Sequence, residues 1–84
     1  MSYKRIAQLK QHIIVGTKQT IRALQSNEVI EVIVAKDASG KVTQQVVELA
    51  QGLNVPCTYV ESKKQLGKAC GIDVGTSTAG IKRH

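Results

Sequence analysis

With 84 residues the chain fits one domain, residues 1–84, with one hydrophobic core. Apolar residues make up 42% and charged residues 21%, which argues against intrinsic disorder. The net charge of +6, from 12 Lys plus Arg against 6 Asp plus Glu, favours a polyanionic partner; on charge alone RNA, DNA and anionic membranes all qualify.

Ser2 can cap a first helix on which Ile6, Leu9 and Ile13 share one face at i, i+3, i+7. The run Ile13-Ile14-Val15 then reads as a strand, which Gly16-Thr17 breaks. Thr17 can cap a second helix that turns Ile21 and Leu24 inward and Lys18, Arg22 and Gln25 outward. Asn27 is placed to stop it. Residues 1–27 carry Lys4, Arg5, Lys10, Lys18 and Arg22 and no acid.

Val29 to Ala35 is β-branched with almost no polar alternation, as in a strand buried on both faces. Asp37 to Gly40 predicts a turn. A third helix follows, with Val42, Val46, Leu49, Ala50 and Leu53 on one stripe and Gly52 at its end. Val55 to Val60 is a strand, with Pro56 near its start. Ser62-Lys63-Lys64-Gln65 matches a capping box, S-x-x-Q, opening a fourth helix that Gly71 ends. Leu66, Ala69 and Cys70 face inward on it, and Lys64 and Lys68 outward. Ile72 to Thr76 reads as a loop and Ser77 to Ile81 as a last strand. Strands alternating with helices predict an α/β fold: a three-layer α/β/α sandwich with a small mixed four-stranded sheet.

Several functions find no support. Apolar runs fall far below the roughly 20 residues that span a bilayer, and no signal-peptide region follows Lys4-Arg5, so the chain reads as cytoplasmic, without a membrane partner. Cys57 and Cys70 form no CxxC or zinc pattern and read as reduced, buried, inert thiols. His12 reads as structural or solvent-exposed, and His84 is the last residue. Glu28, Glu31, Asp37, Glu48, Glu61 and Asp73 are scattered, with no spacing that makes a catalytic pair or a metal cage. Val15 to Thr20 has one glycine before its lysine and is not a Walker loop. The expectation is a protein that is not an enzyme, with no cofactor, metal or small-molecule substrate.

What remains is a binding site. A helix opening straight after Gly16 presents free backbone N–H groups and the positive end of its dipole. Gly16 lets a polyanion approach closely, Lys18 and Arg22 add charge one turn apart, and Gln19 can donate to or accept from a base edge. An ordinary capped helix with a solvated basic face is the plainer alternative. Tyr3 and Tyr59 are the only aromatic residues, so no base-stacking platform can be built. That points to a folded RNA element read by helix termini, loops and backbone.

Gly16-Thr17-Lys18-Gln19-Thr20-x-Arg22-Ala23-Leu24, Val32-Ile33-Val34-Ala35-Lys36-Asp37, Val55-Pro56 and Ser62 to Val74 resemble the kink-turn-binding ribosomal protein family, that of the archaeal "L-seven-Ae" and the "L-thirty-e" proteins. The likeness runs over essentially the whole chain and is closest to the short bacterial members. It implies recognition of a kink-turn, an internal loop bent sharply around tandem sheared G·A pairs. The target RNA would be ribosomal RNA or an mRNA leader riboswitch, with the ribosome as a further partner. The implied RNA-binding residues are Gly16, Thr17, Lys18, Gln19 and Arg22 at the second helix. Ile72, Asp73, Val74, Gly75 and Thr76 form the implied loop contact, and Lys36 follows the central strand. The chain departs from many archaeal and eukaryal members, which carry Asn-Glu where it has Lys18-Gln19. Lys18 donates only, which shifts affinity toward phosphates. That departure keeps open a ribosome-associated structural protein without independent kink-turn recognition. A protein-binding module using Ile72 to Val74 is a third reading. A monomer suffices for all three.

Overall fold

The strand Val29–Ala35 explains the architecture. In the computed structural model, which describes residues 3–38 and 40–83, successive side chains from Val32 to Ala35 enter two different cores, while Ile30, expected to be buried, is 40% exposed. Ile33 and Ala35 join Ile6, Val60, Leu66, Ala69, Ala79 and Ile81 on one face; Val32 and Val34 join Ala23, Leu24, Val29, Val46 and Ala50 on the other. A strand apolar on both sides needs a cover on both sides.

In chain order the elements are α1 (Tyr3–Gln8), a 3-10 turn (Lys10–His12), β1 (Ile13–Val15), α2 (Thr17–Gln25), β2 (Val29–Ala35), α3 (Gly40–Gly52), β3 (Cys57–Val60), α4 (Lys63–Ala69) and β4 (Thr78–Lys82). The sheet order is β1-β4-β2-β3. β4 runs antiparallel to both β1 and β2, and β3 runs parallel to β2. Helices α1 and α4 pack together on one face, α2 and α3 on the other. The α/β/α sandwich with a mixed four-stranded sheet is therefore present.

Local details differ from the sequence reading. The first helix ends at Gln8; Leu9 N–H donates to the Ile6 carbonyl (3.0 Å) and His12 N–H to that of Leu9 (2.8 Å), the tighter 3-10 pattern. Ile13 thus starts β1, yet it still packs against the core that holds Ile6. Ser2 and His84 lie outside the described residues. On α3 the buried stripe is Thr43, Val46 and Ala50, while Val42 and Leu53 are 45% and 44% exposed. β3 starts at Cys57, and β4 is shifted one residue later than expected. Cys57 and Cys70 are half-buried rather than buried; they pack against opposite cores, and desolvation pushes both thiols up, which favours the protonated form. Among the described residues no helix is long and apolar enough to cross a membrane, and no cluster of His, Cys, Asp and Glu could hold a metal.

The helix stops share one device. Asn27 and Asn54 adopt φ of 58° and 59°, and Gly71 a φ of 86°. The residue after each donates back to a carbonyl in the last turn: Glu28 to Ala23 (2.9 Å), Val55 to Ala50 (2.8 Å) and Ile72 to Gly67 (3.0 Å). These are Schellman closures. α3 ends at Gly52, as expected, and Asn54 supplies the left-handed stop just beyond it. Because alanine is strained in the left-handed region, Asn54→Ala should lower the unfolding free energy by about 1–2 kcal/mol, whereas Asn54→Gly should cost less. Urea unfolding checks this, and equal losses would contradict the left-handed stop.

Candidate nucleic-acid interface

Strand pairing sets up one edge of the sheet. Val15 pairs with Ala79, Val34 with Thr78, and Ala35 with Val60, so the carboxyl ends of β1, β2 and β3 lie together beside the start of β4. Each of the three strands is followed by a helix, so α2, α3 and α4 all open at this edge. None has an acidic residue in its first turn. Three positive helix ends thus point the same way.

The opening of α2 is more open than that of α4. Gly16 is its N-cap, at φ 102° and ψ 152°, a backbone region essentially reserved for glycine. No side chain caps the helix, and the first N–H groups of a helix have no acceptor within it. Thr17, expected as the cap, is the first helical residue. Its hydroxyl turns to β4 instead, 3.2 Å from Ser77 Oγ and donating to Thr78 Oγ1 at 3.4 Å. Lys18, Gln19 and Arg22 are exposed. The Gln19 amide lies against the cap, since a Cβ on Gly16 would stand 2.8 Å from its Oε1.

The loop from Ile72 to Thr76 is seated on α4. A Cβ on Gly67 would collide with the Val74 carbonyl, and one on Gly75 would lie 3.2 Å from the Lys63 carbonyl oxygen. Thr76 is buried, donates its N–H to the Lys63 carbonyl (3.0 Å) and its hydroxyl to the Thr78 carbonyl (2.9 Å). Ile72 is half-buried and Asp73 and Gly75 are exposed, while the Val74 side chain stands 70% exposed. A groove of about 370 Å³, lined by Ala38, Val42, Lys63, Gly75 and Ser77, runs beside it.

Ser77 joins the two parts. Its carbonyl accepts from Ala35 N–H (3.0 Å) and its hydroxyl meets Thr17, while Gly16 N–H donates to the Thr78 carbonyl (3.1 Å). The edge therefore collects Gly16 to Gln19 and Gly75 to Thr76 around Ser77, with Arg22 one turn down α2. Lys36 reaches the same edge but on its far side, where its Nζ lies 3.0 Å from Glu61 Oε1. There α4 is closed: Ser62 Oγ accepts from Gln65 N–H (3.3 Å) and Asp37 Oδ1 from Lys63 N–H (2.8 Å). Sequence reasoning missed Gly67, Glu61 and Ser77. Only Ser77 left a trace, as the middle of three consecutive hydroxyl residues opening a strand.

Known proteins resemble this chain in sequence and in fold. The sequence matches the family described as the ribosomal protein L7Ae/L30e/S12e/Gadd45 family over residues 1–84. It is 47% identical to an RNA-binding protein of Halalkalibacterium halodurans, over 99% of this chain and 100% of that one. It is 49% identical to the RNA-binding protein YbxF of Geobacillus stearothermophilus, again over 99% and 100%. Among solved structures it resembles the Giardia lamblia 15.5kD RNA binding protein, with TM-score 0.85, 29% identity, and coverage of 98% of this chain and 68% of that one. A protein of unknown function from Bacillus halodurans C shares the fold at TM-score 0.89 and 20% identity, covering 96% and 83%.

The seat of the loop can be tested directly. Gly67→Ala forces the Val74 carbonyl away and should cost about 1–3 kcal/mol. Amide resonances should shift mainly over residues 63–67 and 72–77. An unshifted loop would contradict the packing.

Proposed function

This chain belongs to the ribosomal protein L7Ae/L30e/S12e/Gadd45 family, and from that membership we propose that it binds structured RNA, with kink-turns as its target. The observation that carries the reading is the uncapped, acid-free opening of α2 joined through Thr17 and Ser77 to a loop that displays Val74. On this reading the free N–H groups after Gly16 take a backbone phosphate, and Lys18 and Arg22 add long-range attraction. Gln19 addresses the edges of the G·A pairs. Val74, with Ile72 behind it, gives an apolar rest for a base turned out of the stack. The sheet supplies no aromatic platform, so shape and backbone dominate recognition. One domain spanning residues 1–84 acts as a cytoplasmic monomer, without catalysis, on ribosomal RNA or an mRNA leader.

A second reading has its own support. With Gln19 laid against Gly16, base reading requires that side chain to swing out. A ribosome-associated structural role without independent kink-turn recognition would not need that movement.

Titration with a kink-turn RNA and a straight duplex of equal length separates them. Kink-turn recognition predicts preference for the kinked RNA, and affinity that falls steeply with salt. Lys18→Met and Arg22→Met should each make the log–log salt slope shallower by about 0.9 for every phosphate that is no longer neutralised. Equal binding to both RNAs, with sedimentation alongside ribosomes, would favour the second reading.

A further inference from the structure

We infer that Glu61 restrains RNA affinity by holding Lys36, so that RNA must displace a carboxylate to gain that cation. The inference rests on the reading of this edge as an RNA surface. The Lys36 and Glu61 side chains are 57% and 81% exposed, and their charged atoms lie 3.0 Å apart on the same edge as the α2 opening. The pairing is set up by backbone. Lys36 N–H donates to the Val60 carbonyl at 2.7 Å, and Asp37 Oδ1 accepts from Lys63 N–H at 2.8 Å, so the strand ends that carry the two side chains are clasped side by side.

An ion pair this exposed contributes little to folding. Its effect on a polyanion is larger. A phosphate that takes Lys36 frees Glu61, which then recruits a cation from solution. Counterion release from that contact is nearly cancelled. The first turn of α2 carries no acid and is open to attraction, whereas Lys36 already holds a carboxylate partner that RNA must displace.

A thermodynamic cycle tests this on the full chain with a kink-turn RNA and an equal-length duplex. Glu61→Gln keeps the shape and removes the charge. It should tighten RNA binding about threefold to tenfold at low salt and steepen the log–log salt slope by about 0.9. In a Lys36→Met background the same change should give little gain. Glu48→Gln, on the outer face of α3 where Glu48 accepts from Gln44 (3.1 Å), makes the same change of net charge away from the edge and should have a much smaller effect. A gain that disappears with Lys36 supports the inference. No gain, an equal gain without Lys36, or an equal gain from Glu48→Gln would overturn it. Wild-type preference between the two RNAs reports on the kink-turn reading separately, because the Glu61 effect is readable on either RNA.

Discussion

The structure depends on the placement of its last strand. β4 sits between β1 and β2, in the interior of the sheet, although it is the last strand in chain order. Without it β1 has no partner, and the start of α2 loses the hydrogen bonds that tie Gly16 and Thr17 to the sheet. Its opening makes the contacts that matter: Thr78 accepts from Gly16 N–H, Ser77 accepts from Ala35 N–H, and the Ser77 hydroxyl meets Thr17. Residues 60 positions apart are thus held in hydrogen-bonding distance by ladder bonds already required for the sheet. Bringing the α2 opening and the loop before β4 together adds little ordering cost of its own, because the fold has closed that loop already.

Polarity follows from the same topology. Parallel β2 and β3 and antiparallel β1–β4 put three helix openings on one edge. Their dipoles add there, but the openings are not equivalent. Ser62 and Asp37 satisfy α4, and Glu61 neutralises Lys36 beside it. The α2 opening combines an uncapped glycine start with exposed Lys18 and Arg22. The site is defined as much by what is closed at one end as by what is open at the other.

Legibility in the sequence tracked the range of the interaction. The apolar run Val32 to Ala35 of β2, the Ser62 cap and the Gly71 stop are local features, and each reads correctly from neighbouring residues. Gly52 and Asn54 both carry stop chemistry, and the choice between them depends on where Val55 can close back on Ala50, which only three dimensions decide. Thr17 has cap chemistry too, but Ser77 and Thr78 compete for its hydroxyl from across the chain. β4 is weakly patterned because Gly80 lies under α2, where a Cβ would come within 3.3 Å of Thr20 Cγ2. The basic opening of α2 could be read from residues alone; the loop from Ile72 to Thr76 entered through family resemblance. Gly67 and the Glu61–Lys36 pair, both set by packing between distant segments, were not visible.

The central claim is that the α2 opening and the loop before β4 form one RNA surface. Amide resonances followed during titration with a kink-turn RNA test it most directly. A single surface predicts shifts concentrated at residues 16–22, 36–37 and 72–77, saturating together at a single stoichiometry. Shifts centred on the outer face of α3, or on the opposite edge around Asn27 and Asn54, would contradict it.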